Sequence, residues 1–345
     1  MTITAPAGIR QRARAAVAVT FAANGMLFGS WVPRIPEIKH NLHLSSAALG
    51  FALLAPAVGS VLSRRLYGRA SARYGSARLT RISLVLFCAL GWLPGLAGNL
   101  PSLWLTLFIW GGAIGGFDVV MNAQGVTVEQ AYGRPVLSGF HAAYLPDPAH
   151  HAEVTQPGRR GLPELRLLLL GVAALFALMS EGAVADWSGV LLRDNLHASP
   201  AQVGLAYAAF SATMTCGRFV GDRLVHRLGR VRSITVLTAI GAAGLAAGMA
   251  FHSLPGAVIG FALLGVGLSV MVPVLFSTAA DGAAPGPAIA TVSTLGYTGF
   301  LVGPTAIGLI AQGTSVPFAL WLLPIFTVTG GVLGIAAVRM TARRG

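Results

Sequence analysis

Residues 195–234 read NLHASPAQVGLAYAAFSATMTCGRFVGDRLVHRLGRVRSI, and residues 41–80 read NLHLSSAALGFALLAPAVGSVLSRRLYGRASARYGSARLT. Laid over one another without gaps, at an offset of 154, the two stretches agree at 13 positions. Asn41-Leu42-His43 returns as Asn195-Leu196-His197, and Gly50 returns as Gly204. Arg64, Arg69, Arg73, Gly75 and Arg78 return as Arg218, Arg223, Arg227, Gly229 and Arg232. A tryptophan precedes each copy, Trp31 and Trp187, and each copy joins two long apolar runs. Hydrophobic segments and basic loops repeated at nearly half the chain length describe two similar membrane bundles in one polypeptide.

Composition supports that reading. Of 345 residues, 54% are hydrophobic and 10% charged, whereas a soluble domain carries roughly 25% charged residues. The 44 glycines follow no collagen period and suit closely packed membrane helices. A net charge of +13 would fit a nucleic-acid binder, but the positions of the charges exclude that partner. If the loops are read alternately as inside and outside, one side holds 21 of the 24 Lys and Arg, and the other only Arg34, Lys39 and Arg193. By the positive-inside rule, both termini are expected in the cytoplasm of a multi-pass cell-membrane protein. Cys88 and Cys216 lie in apolar segments of different helices, so no disulfide framework is implied. The first apolar run follows Arg10, Arg12 and Arg14 without a cleavage pattern and reads as an uncleaved first helix. The balance of 23 Arg to one Lys points to a GC-rich bacterial genome, hence an inner membrane.

Ten spans are expected: 15–32, 47–62, 82–97, 103–121, 167–185, 201–217, 234–251, 257–276, 288–310 and 318–338. Between the fourth and fifth, His141 to Arg166 is polar, holds Pro146, Pro148, Pro157 and Pro163, and reads as a cytoplasmic linker. The expected domains are thus a four-helix bundle over 1–140, the linker over 141–166, and a six-helix bundle over 167–345. By the repeat, the first half lacks two helices that would follow the fourth span. Losing a pair preserves parity, so the topology survives.

The loop after the sixth span, Gly217-Arg218-Phe219-Val220-Gly221-Asp222-Arg223-Leu224-Val225-His226-Arg227-Leu228-Gly229-Arg230, resembles the loop motif of the major facilitator superfamily. Both copies fall where that family places the motif, on the cytoplasmic side between the second and third helices of each half. The first copy has Gly68 where the second has Asp222. Gly115-Gly116-Phe117-Asp118-Val119-Val120-Met121-Asn122-Ala123-Gln124-Gly125, with Asn24-Gly25 and Trp31-Val32-Pro33-Arg34-Ile35-Pro36, is similar to the fucose-permease-like and MosC-like bacterial subgroup. In such relatives Phe-His, here Phe140-His141, leads directly into the fifth helix. The resemblance implies an all-α, two-bundle fold of about ten transmembrane helices (4 + 6), apparently without the fifth and sixth. It also implies a secondary transporter that works by rocking two bundles about a midplane site.

Asp118 and Asn122 are four apart and share a helix face. A carboxylate in an apolar span is costly and normally faces protein, water or a functional path. Asp118 reads either as a proton or polar-substrate site or as the partner of a loop arginine. Glu181, a turn and a half inside Asp186, reads as a titrating carboxylate or as a helix–helix hydrogen bond. Asn24 reads as packing glue or as a ligand. The candidate substrate or proton site is Asn24, Asp118, Asn122 and Glu181. The candidate gating loops hold Arg73, Gly75, Gly221, Asp222, Arg223, Arg227 and Gly229, with Glu129 and Arg134 replacing an aspartate in the first half. Asp222 would accept hydrogen bonds in one conformation and lose them in the other. Trp31 and Trp187 are expected as anchors in the outer aromatic belt, and His43 and His197 as structural loop residues. Gly111/Gly115 and Gly112/Gly116 would permit close helix approach. Gly265-Val266-Gly267 lies in an apolar span and is not a nucleotide loop.

No Walker motif, nucleophile elbow or metal-ligand cluster occurs, so no cofactor, metal or enzymatic reaction is expected. The expected partners are a small polar solute, protons and membrane lipid, with oligomeric state open. Two alternatives stand beside this reading: a drug or metabolite exporter of the same fold, and a truncated product that transports nothing. A membrane enzyme or sensor is disfavoured.

Overall fold

The computed structural model describes residues 7–132, 164–281 and 285–342. Every long element is a helix, as lipid demands, because a helix satisfies its own backbone donors and acceptors. The helices are α1 (Ala7–Trp31), α2 (Ile35–Asn41), α3 (Ser46–Tyr74), α4 (Ser76–Leu90), α5 (Leu100–Tyr132), α6 (Leu165–Val190) and α7 (Leu205–Leu228). They continue with α8 (Arg230–Ala250), α9 (Leu254–Leu268), α10 (Met271–Ala280), α11 (Pro285–Gly313), α12 (Val316–Leu320) and α13 (Leu322–Ala342). Among the described residues there is no strand.

The helices overrun the apolar runs that predicted them. α3 continues to Tyr74 and α7 to Leu228, through their arginines, because leaving the membrane does not end a helix whose residues favour one. Nine helical segments are long and apolar enough to cross a membrane among the described residues. The expected sixth span is the one missing from that set. α7 is a 24-residue helix, but Arg218, Asp222, Arg223 and Arg227 lower its apolarity. The expected eighth span is broken at Ser269-Val270 into α9 and α10.

Of the described residues, 7–34, 38–44 and 51–132 form one compact unit, and 35–37, 45–50, 164–281 and 285–342 form the other. In the first unit α5 packs against α4 and α1. Its contact with α3 is built on glycine: a methyl at Gly111 would meet the Pro56 backbone, and one at Gly115 would meet Ser60. In the second unit α6 packs on α11 and α13, α8 on α9 and α13, and α7 on α9. Gly265, the repeat counterpart of Gly111, sits against the Phe210 carbonyl of α7. The glycines expected to permit close approach thus do so, and Gly265 and Gly267 are helix-packing residues.

The repeat is visible in the backbone. His43 and His197 both take positive φ, 50° and 52°. Gly75 and Gly229 take φ of 83° and 78° at the junctions into α4 and α8. Glycine is required there because a β-carbon crowds the backbone at such angles.

The tryptophans are not belt anchors. Trp187 is fully buried and its indole N–H donates to the Pro304 carbonyl at 3.1 Å. Trp31 is 8% exposed and packs on Trp110, with ring centroids 5.2 Å apart. An indole can lie inside a bundle when a carbonyl is available to its N–H, and Pro304 supplies one to Trp187.

Candidate functional site

In the first unit, α3 and α5 run side by side in step: Pro56 meets Gly111, Ser60 meets Gly115, and one turn further Arg64 meets Asp118. An Arg64 guanidinium nitrogen lies 3.3 Å from Asp118 Oδ2. Asn122 Nδ2 donates to Asp118 Oδ1 at 2.9 Å and to its carbonyl at 3.0 Å. Asp118 is 4% exposed. The carboxylate is therefore buried, balanced by one cation and held by one amide, the arrangement that makes a charge tolerable away from water. Both expected members of this cluster come together as the four-residue spacing required. The partner, however, is Arg64 within α3 and not an arginine of a loop.

Asn24, on α1, is 1% exposed, and neither its amide nitrogen nor its oxygen has a hydrogen-bond partner. A helix-packing amide would have found a partner. A buried amide with neither atom satisfied calls for a ligand or water.

In the second unit Glu181 is 3% exposed, and its Oε1 lies 3.7 Å from an Arg218 guanidinium nitrogen. Arg218 is the repeat counterpart of Arg64, so equivalent arginines each face a buried carboxylate of their own unit. The acids are not equivalent. Asp118 comes from the fourth helix of its unit, and Glu181 from α6, the first of its own. Position 272, where the repeat would put an acid, is Val272.

Sequence reasoning had taken Arg64 and Arg218 as topology-setting charges. Their matched positions, each ten residues before a helix end, were the signal that they lie inside the helices. Asp186, passed over as a marker of position, is half-buried and makes no hydrogen bond or ion pair among the described residues.

The expected gating residues lie at the ends of α3 and α7. The Arg73 guanidinium stands 5.3 Å from the centroid of the Tyr74 ring. Gly221 is buried against Val270, while Asp222, Arg223 and Arg227 are exposed. Glu129 falls in α5 without a described side chain, and Arg134 and residues 141–163 of the expected linker lie outside the described residues. The same end of the second unit holds two arginine contacts that sequence did not suggest. Arg166, 7% exposed, donates to the Thr278 carbonyl at 3.1 Å and to Thr341 Oγ1 at 3.3 Å, and Arg230 pairs with Asp281. Both cations sit at the C-terminus of α10, where the helix dipole favours them.

Residues 169–344 match the Major Facilitator Superfamily family model. The chain is 32% identical to an uncharacterized MFS-type transporter of Yersinia pestis, covering 96% of this chain and 97% of that one. It is 30% identical to Membrane protein MosC of Rhizobium meliloti, covering 92% and 87%. The first alignment runs over 375 positions, more than the 345 residues of this chain, so the Yersinia protein carries residues that face gaps here. Among solved structures, the nucleoside transporter NupG superposes with a TM-score of 0.70 at 11% identity, covering 95% of this chain and 99% of that one. A D-xylose-proton symporter superposes with a TM-score of 0.57 at 15% identity, covering 94% and 96%. With its repeated bundles, its paired basic loops and these relatives, the chain belongs to the major facilitator superfamily of membrane transporters.

Proposed function

We propose that this chain carries a small polar solute across the cell membrane by alternating access, in exchange for protons moving down their gradient. The observation that carries the reading is the buried polar set: Asn24 with an unsatisfied amide, and two arginine-balanced carboxylates, Asp118 with Asn122, and Glu181. Charges and amides are costly within a membrane and are kept there where a path needs them. Solved structures of similar fold include a nucleoside transporter and a sugar-proton symporter, which supports a polar solute over an apolar one. Arg73, Gly75, Glu129, Arg134, Gly221, Asp222, Arg223, Arg227 and Gly229 serve gating at the cytoplasmic ends. The 21-to-3 division of basic residues supports cytoplasmic termini.

A second reading has its own support. The alignment longer than the chain, with the proline-rich stretch after His141, supports loss of the fifth and sixth helices. A first bundle without them transports weakly or not at all. The test is uptake of radiolabelled pentoses and nucleosides into proteoliposomes under an inward proton gradient. It uses the native chain and a variant with a relative's two helices inserted after His141. The expected result is little uptake by the native chain and strong uptake by the variant, lost with Asp118→Asn or Glu181→Gln. Robust uptake by the native chain would overturn the missing-helix reading. No uptake by either would overturn the solute class.

A further inference from the structure

We propose that Asp186, on the outer part of α6, is the residue that binds the coupling proton and is neutral in the conformation described here. The inference rests on the transport reading and names the group within it that carries the proton. Three carboxylates lie well inside the described spans: Asp118, Glu181 and Asp186. Glu37 and Asp194 are at span ends and exposed. Arg64 balances Asp118, and Arg218 lies beside Glu181. Asp186 has no such neighbour. It is half-buried and has no hydrogen bond or ion pair among the described residues.

Helix geometry keeps Arg218 from serving both acids of α6. Asp186 lies five residues beyond Glu181, which turns it about 140° around the helix and moves it about 7.5 Å along it. The face it takes is apolar. Gly182, one turn below, looks onto the Phe300 ring at 3.0 Å, and Gly189, one turn above, looks onto Pro36 and Val203 at 3.2 Å. Around that level α11 offers no titratable group between Phe300 and Gly313, and Tyr297 sits beside Ala174, about three turns away. α12 carries none, and the only charge on α13, Arg339, is in its last turn at the opposite end. The outer half of α7 contributes Tyr207 alone. The turn after α6 contributes Arg193, which donates to the Ala198 carbonyl at 3.3 Å, and Asp194. The segment Ile35–Glu37 contributes Glu37.

No fixed cation is therefore in place to hold Asp186 ionised, and a carboxylate without one in an apolar span takes up a proton. Its partial exposure gives the proton a way in and out. When water or a cation reaches it in another conformation, the carboxylate form becomes favourable and the proton leaves. Glu181 and Asp118, each beside an arginine, keep their charge through the same change.

Infrared difference spectroscopy of the purified full chain in lipid, titrated with pH and labelled with carboxyl-13C aspartate, tests this. The expected result is a protonated carboxylic C=O band at neutral pH that shifts with the label and fades on alkalinisation. It should be absent in Asp186→Asn and present in Glu181→Gln and Asp118→Asn. Should Asp186→Asn fail to fold, Asp186→Glu must lose the label-sensitive band and gain one without the isotope shift. No such band in the native chain, its survival in Asp186→Asn, or its loss in Glu181→Gln would each overturn the proposal. A band assigned to Asp186 in a protein that moves no solute even with the two helices restored would instead sink the transport reading and leave the protonation standing.

Discussion

Neighbouring glycines on α5 give opposite expectations. A methyl at Gly111 would fall inside the van der Waals radii of the Pro56 Cα and carbonyl oxygen, which are backbone atoms of α3 and have no rotamer to escape into. At Gly112 the nearest atom to an added methyl is the Gly59 carbonyl oxygen, at 3.7 Å, an ordinary contact. Carbon atoms rest at about 3.5–4.0 Å, so Gly111→Ala must part α3 from α5 by more than an ångström. Overpacking costs roughly 1–3 kcal/mol, and an unyielding backbone places this case at the upper end, about 3 kcal/mol. That is about two powers of ten in the folding equilibrium. Gly112→Ala makes no clash and gains helix propensity, up to about 1 kcal/mol. The assay is reversible unfolding of both variants in mixed detergent–SDS micelles, followed by far-UV circular dichroism. Arg64 and Asp118 meet on the following turn, so Gly111→Ala should also weaken any activity that needs their pairing. Equal stability of the two variants would refute the in-step packing of α3 on α5, and with it the placement of Arg64 beside Asp118.

Gly229→Ala should destabilise the second bundle by about 1–2 kcal/mol, since φ of 78° crowds a β-carbon. Gly229→Asn should cost less because asparagine tolerates that region, and thermal unfolding of the two variants decides the order. Asp222→Asn should slow transport by the helix-restored chain with little change in substrate affinity, because Asp222 is exposed at the end of α7. A large loss of affinity in a folded variant would contradict a gating role. With Cys88 and Cys216 replaced, a cysteine at Gly98 should react with an impermeant thiol reagent on intact cells. Cysteines at Ala149 and Gly345 should resist it, and labelling at Ala149 would overturn the parity argument.

Several features were legible because they depend on local chemistry. The repeated Asn-Leu-His and glycine positions reappear as paired positive-φ turns, since a turn's demand on its residue type is written at that residue. Asp118 and Asn122 met as their spacing required, since helix periodicity alone sets which side chains share a face. Arg64 and Arg218 were misread for the converse reason. An arginine near the end of an apolar run looks the same whether the helix stops or continues, and only the fold shows that α3 and α7 continue beyond them. Trp187 looked like a belt residue because its position near a span end is the same in both roles. The Pro304 carbonyl that accepts its N–H lies 117 residues away.

From the sequence alone followed an all-helical membrane chain, its two-fold repeat, its orientation and its loop glycines. Lipid leaves the backbone one economical form, positive charge resists crossing, and each of these constraints acts on a short stretch. Which carboxylate is balanced, and by which arginine, came only from the tertiary structure. Asp118 takes Arg64 from 54 residues away, Glu181 takes Arg218 from 37, and Asp186 takes none. That choice depends on the rotation of each helix about its axis and on which helices pack beside it. Hydrophobic periodicity leaves the rotation undetermined when nearly the whole helix surface is apolar.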